Sequence, residues 1–194
     1  MSDTSKEPPK FPDDIFTVFY DHGTDRSEAV ALPVILEQFV EFLLREAMTP
    51  HDKAAVNEVL SPSGPIGSFG AKCRLAYVLG LMHQTTYQDF MLITKIRNRF
   101  AHELQVKEYS DPVIDNWMRS LHMYKIMQEI SVEDLDRNSS DFDHWLRFCM
   151  QEELKSGRST YRTIIRLYCL QMQDLLTRRS RAKKATPAEK TEKP

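Results

Sequence analysis

Glycine is scarce in this chain, at 6 of 194 residues, and tryptophan scarcer still, at 2. Runs of Val, Ile and Thr alternating with polar residues are missing, which excludes a sandwich or barrel built from many short strands. The three cysteines, Cys73, Cys149 and Cys169, form no CxxC pair. An odd, widely spaced set excludes a disulfide framework and reads as reduced core thiols of a cytoplasmic protein. His22, His51, His83, His102, His122 and His144 fall in no HxxxH or HExxH spacing, so no metal site is expected. There is no Gly-x-Ser-x-Gly elbow to support a serine hydrolase, and no motif asks for a cofactor. No apolar run follows a basic start, which speaks against a secretory leader. The most apolar stretch, Val30 to Leu44, is interrupted by Glu37, Gln38 and Glu41 and does not read as a membrane span.

What is present favours helix. Leu, Met, Glu, Arg and Ala dominate, and the hydrophobic share of 41% is enough for a packed core. The net charge of -2 conceals an asymmetry, because seven Lys or Arg oppose two Glu from residue 178 onward. An acidic body with a short basic end is a poor match for a domain that wraps nucleic acid. Arg178, Arg179, Arg181, Lys183 and Lys184 would add weak, salt-sensitive contact with phosphates at most.

The pattern divides the chain into a largely disordered N-terminal extension over 1–24, a helical domain over 25–180 and a basic, disordered tail over 181–194. Helical periodicity starts at Ser27, which reads as an N-cap, and continues to Met48, with Pro33 in the first turns. Further helices are expected over His51–Leu60, Ile66–Gln84, Tyr87–Glu108, Pro112 through Met127, Phe142–Lys155 and Ser159–Arg179. The expectation is an all-α, single-domain bundle of about seven helices.

Two blocks carry candidate chemistry. In the first, Leu60 to Lys72, Gly64, Gly67, Gly70 and Lys72 invite comparison with a phosphate loop. The spacing fails, because Ala71 separates Gly70 from Lys72 and no Ser or Thr follows the lysine. The bland reading is that Gly64, Gly67, Gly70 and Gly80 allow tight packing by a neighbouring helix; the residual one is an anion at a helix N-terminus. A helix-turn-helix over His51–Leu60 and Ile66–Gln84 is the nearest DNA-reading candidate. Its second helix is apolar, with Lys72 and Arg74 as its only basic residues, and reads as buried.

The second block is Ile96-Arg97-Asn98-Arg99-Phe100-Ala101-His102. Phe90, Ile93, Arg97, Phe100 and Leu104 recur on one face, which puts Arg97 on an apolar surface where a charge must be paired or used. Asn98 and His102, four apart, share a helix face, and Arg97 lies about 140° around from His102. Arg97, Asn98 and His102 in one cleft would suit metal-free RNA cleavage, with His102 moving a proton and Arg97 holding the phosphate. The structural alternative pairs Arg97 with Glu37 or Glu41 and uses His102 to bond a neighbouring helix. Lys72 and Arg74 are looser candidates for the same cleft.

Leu60-Ser-Pro-Ser-Gly-Pro-Ile-Gly-Ser-Phe-Gly-Ala-Lys72, Arg74-Leu-Ala-Tyr-Val-Leu-Gly-Leu81, Ile96–His102 and Ser110-Asp-Pro112 together resemble the mannitol operon repressor family over roughly residues 25–175. The resemblance implies a helical bundle that represses sugar-alcohol uptake genes through a protein partner, either another regulator or a phosphotransferase component. It implies little or no direct nucleic-acid binding. The segment Arg97 to His102 also resembles the Arg-x4-His motif of the HEPN superfamily, which includes metal-independent ribonucleases and toxin-system components. That resemblance implies the alternative function, with Arg97 and His102 lining a dimer cleft. A cytoplasmic homodimer that is not an enzyme and uses no cofactor is the leading expectation.

Overall fold

A computed structural model describes residues 23–48, 52–129 and 156–185. Its described residues form seven helices: α1 (Asp25–Ala47), α2 (Lys53–Leu60), α3 (Phe69–Val78), α4 (Gln84–His102), α5 (Pro112–Ser120), α6 (His122–Glu129) and α7 (Gly157–Ala185). The helix expected over Phe142–Lys155 lies outside them, as do Cys149, His22, His51 and His144.

Helix α1 is the axis of the bundle and packs against α3, α4 and α7. Its Ala29, Leu32, Leu36, Phe39, Val40, Leu43 and Leu44 are fully buried, at the three- and four-residue intervals of an apolar stripe. Each large side chain among them contributes about 1.5–3 kcal/mol by leaving water. The helix begins earlier than its pattern suggests. Thr24 is the N-cap, and Ser27 is the third residue of a capping box: Ser27 N donates to Thr24 Oγ1 at 3.1 Å while Thr24 N donates to Ser27 Oγ at 2.7 Å. Pro33 therefore lies inside the helix, where it is buried and offers no N–H to the Ala29 carbonyl.

Helix α4 supplies Phe90, Ile93, Ile96 and Phe100 to the core. It starts at an N-cap, His83, and stops at His102, short of the expected Glu108. The Arg26 guanidinium from α1 explains the stop. It donates to the carbonyls of Phe100, Glu103, Leu104 and Val106, satisfying helix-end acceptors with a cation that suits the helix dipole. Leu104, expected on the apolar face, lies beyond this end and is 81% exposed.

The segment expected as one helix from Pro112 is two, α5 and α6, broken at Leu121. Asp89 of α4 causes the break. Its carboxylate accepts from the backbone N–H groups of His122 at 2.9 Å and Met123 at 3.0 Å, and from the Tyr168 hydroxyl. A side chain from another helix thus caps α6.

Helix α7 buries Tyr161, Ile164, Ile165, Tyr168 and Cys169 against α1 and α6. Glu28, fully buried on α1, anchors it through Arg158 at 2.5 Å and Arg162 at 2.7 Å. The helix reaches Ala185, past the expected tail boundary at residue 181. Arg, Lys and Ala are good helix formers, and cations are favoured at a helix C-terminus.

Tight packing at the glycines differs from position to position. A Cβ on Gly64 would lie 2.1 Å from the Glu58 carbonyl oxygen, and one on Gly67 would lie 2.3 Å from that of Ser61. Gly64 therefore closes on the last turn of α2, and Gly67 on the backbone of the α2–α3 loop itself. Gly70 meets Met91 and Thr94 of α4 at ordinary contact distance. Gly80 packs against nothing; its φ of 67° belongs to the turn that ends α3 before the expected Gln84.

Candidate functional site

A groove of about 670 Å³ opens between α1, the α2–α3 loop, α3 and α4. On α1, Glu37, Glu41 and Arg45 stand four residues apart and so project along one face. Lys72 enters from α3, with its side chain only 4% exposed. Its ammonium donates to Glu37 Oε1 at 2.8 Å and to Glu41 Oε2 at 2.7 Å. Arg45 donates to the other Glu41 oxygen, Nε at 3.0 Å and Nη2 at 2.7 Å, and through Nη1 to Asn57 Oδ1 at 2.6 Å. The result is a ladder of charges along one wall.

Burial raises the Glu41 carboxyl, but hydrogen bonds from Lys72 and Arg45 outweigh it, and the carboxyl titrates below its ordinary 4.5. Burial likewise lowers Lys72, whereas the two glutamates more than restore it, so it titrates above 10.5. Both groups carry full charge at neutral pH.

Arg97 lines the same groove from α4, half-buried. The carboxylates expected for it, Glu37 and Glu41, are held by Lys72. Among the described residues the Arg97 side chain has no hydrogen bond or ion pair. On α7, the fully buried Tyr161 hydroxyl also lacks a hydrogen-bond partner among the described residues. Burial pushes that phenol far up, and the Arg97 charge acts on it in the opposite sense.

The other sequence candidates lie elsewhere. Asn98 and His102 are exposed on α4, and neither is on the groove lining. His102 occupies the last position of the helix. Arg74 is exposed on α3, also off the lining. The groove thus joins Arg97 to Lys72 and leaves out Asn98, His102 and Arg74. Sequence reading did not find Arg45, Asn57 or Tyr161. The four-residue spacing of Glu37, Glu41 and Arg45 was a usable signal for the ladder; nothing local marked Tyr161.

The arrangement also bears on DNA reading. Helix α3 buries Phe69, Gly70, Lys72, Cys73 and Ala76, and its lysine is bound to two carboxylates. Only Arg74 is left as an exposed cation, which is too little for a recognition helix. Cys73 and Cys169 are buried free thiols. Among the described residues no group of His, Cys, Asp or Glu is placed to hold a metal, and no helix is long and apolar enough to cross a membrane.

Comparison with known proteins places this geometry. The mannitol operon repressor of Escherichia coli strain K12 is 26% identical over 102 residues, which are 51% of this chain and 52% of that protein. The same repressor of Escherichia coli O6:H1 strain CFT073 gives the same figures. The chain thus aligns with about half the length of these curated relatives. Among solved structures, that of the MtlR-HPr complex from Escherichia coli has a TM-score of 0.59 at 21% identity, covering 84% of this chain and 98% of that one. A possible transcriptional regulator, YggD, from Shigella flexneri 2a has a TM-score of 0.58 at 16% identity, covering 86% and 99%. At these identities the two structures establish a shared helical fold. The mannitol repressor model matches residues 13–176, well over half of the sequence, and the chain belongs to the mannitol repressor family.

Proposed function

We propose that this chain is a cytoplasmic transcriptional regulator that acts through a protein partner, a phosphotransferase component of the HPr type, and does not read DNA with a motif of its own. The observation that carries this reading is the family match over residues 13–176, joined to the fold shared with a protein solved in complex with HPr. The burial of α3 supports it, because the helix nearest in pattern to a recognition helix has its lysine buried against Glu37 and Glu41. On this reading the protein is a homodimer and not an enzyme, and its specificity lies in which partner it holds.

The test is a titration of the purified chain with the HPr-type phosphocarrier of its own organism, followed by calorimetry, alongside a gel-shift assay on the operator of that organism's mannitol uptake operon. The expected outcome is saturable one-to-one binding per chain to the phosphocarrier and no sequence-specific shift. Tight operator binding by the chain alone would overturn the indirect mechanism.

A further inference from the structure

The groove holds three cations, Arg45, Lys72 and Arg97, against two carboxylates, Glu37 and Glu41. Four of these five charges are bound to one another. Arg97 is the surplus. Among the described residues its guanidinium has no carboxylate partner, and its donors are left for an anion entering the groove. The planar fork of arginine matches a carboxylate or a phosphate with two parallel hydrogen bonds. The groove volume lies inside the range of small-molecule sites, about 300–1,000 Å³. Its remaining walls mix apolar Leu60 and Phe69 with the hydroxyls of Ser61 and Ser68, which suits a compact, partly polar body.

We propose that this groove binds a small organic anion, a carboxylate or a phosphate monoester, whose charged head is held by Arg97. Lys72 is not the anion receptor, because its donors face Glu37 and Glu41; its role is to neutralise the wall so that an anion can approach. The inference is independent of the partner reading, since it concerns the chain alone.

The test measures thermal unfolding of the full chain against acetate, inorganic phosphate and glycerol 3-phosphate at constant ionic strength, with chloride as the control. The expected result is a saturable rise in midpoint with at least one of the three anions and none with chloride. The acetate and phosphate arms distinguish the two head groups. Arg97→Gln should weaken that binding about tenfold or more, the loss of a charge-assisted pair, while Asn98→Ala leaves it unchanged. Should Arg97→Gln fail to fold, the side-chain Nε–H resonance of Arg97 in the wild type, shifted by the same anion over the same concentration range, serves instead. A response to none of the anions, or an equal response in Arg97→Gln, overturns the proposal. So does loss of phosphocarrier binding in Arg97→Gln without any anion effect, which would make the groove a protein interface.

Discussion

The Lys72 ammonium stands 2.8 Å from the Glu37 carboxylate, in the position where the sequence invited Arg97. This one exchange of partners decides the electrostatics of the groove. A buried lysine is fixed as a structural cation, and the arginine one helix away is left to face the opening.

Lys72→Met should therefore destabilise the fold, since Glu37 and Glu41 would face each other with only Arg45 to compensate. Breaking a fully buried ion pair costs about 3–5 kcal/mol. Here the carboxylate side chains keep 19% and 29% exposure, so a loss of about 2 kcal/mol is expected from urea unfolding at neutral pH. The pH dependence follows from the directions of the shifts. Glu41 titrates below its ordinary 4.5, so its contribution is present above that value and is lost as pH falls through the lower folded value. Lys72 titrates above 10.5, so its contribution is present below that value and is lost as pH rises through the higher folded one. Wild type and Lys72→Met should thus differ most between these limits and converge as the pH drops below 4.5. A difference that persists in acid would show that Lys72 acts by packing its methylenes rather than by its charge.

The apolar stripes of α1 and α4 were legible in the sequence because each repeats at helical intervals over several turns. The ends of the helices were not. Ser27 has the chemistry of an N-cap, but Thr24 takes that role and Ser27 answers it from the third position. Helix α4 ends where Arg26, 74 residues away from Phe100, reaches its carbonyls, and α5 separates from α6 where Asp89, 33 residues away, caps His122. Local pattern does not carry such long-range polar contacts. The candidate site was legible in the same partial way. Arg97 is half-buried beside the apolar face of α4, and the carboxylates expected for it are held by Lys72, a shorter, more compact cation.

Asp89 offers a direct check on that long-range capping. One carboxylate accepts from two backbone N–H groups and the Tyr168 hydroxyl, linking α4 to α6 and α7. Asp89→Asn keeps the size but turns one acceptor oxygen into a donor, leaving at least one partner unsatisfied. Hydrogen bonds to charged groups contribute about 1.5–3 kcal/mol each, so the expected loss is about 2–3 kcal/mol. Tyr168→Phe, which removes one of the three donors, should lose about 1.5 kcal/mol. Both are read from denaturant midpoints. An Asp89→Asn variant within about 0.5 kcal/mol of wild type, the range of an ordinary surface change, would mean that the α5–α6 break is set by something else.

The exposure of His102 leads to a prediction about RNA. A general acid or base must come within hydrogen-bond reach of the proton it moves, and the phosphate must be held at the same place. In this chain Arg97 lines the groove while His102 sits exposed at the end of α4, off the groove lining. Asn98 is exposed as well and has no described contact that would orient it. RNA incubated with the purified chain in excess EDTA should therefore remain intact, with no difference between wild type and His102→Ala. The alternative reading needs a second copy to bring its own His102 to Arg97, and it forecasts the opposite result. Cleavage by wild type, abolished in both His102→Ala and Arg97→Gln and restored by mixing the two variants, would establish such a composite site. It would replace the partner-mediated regulator with a nuclease.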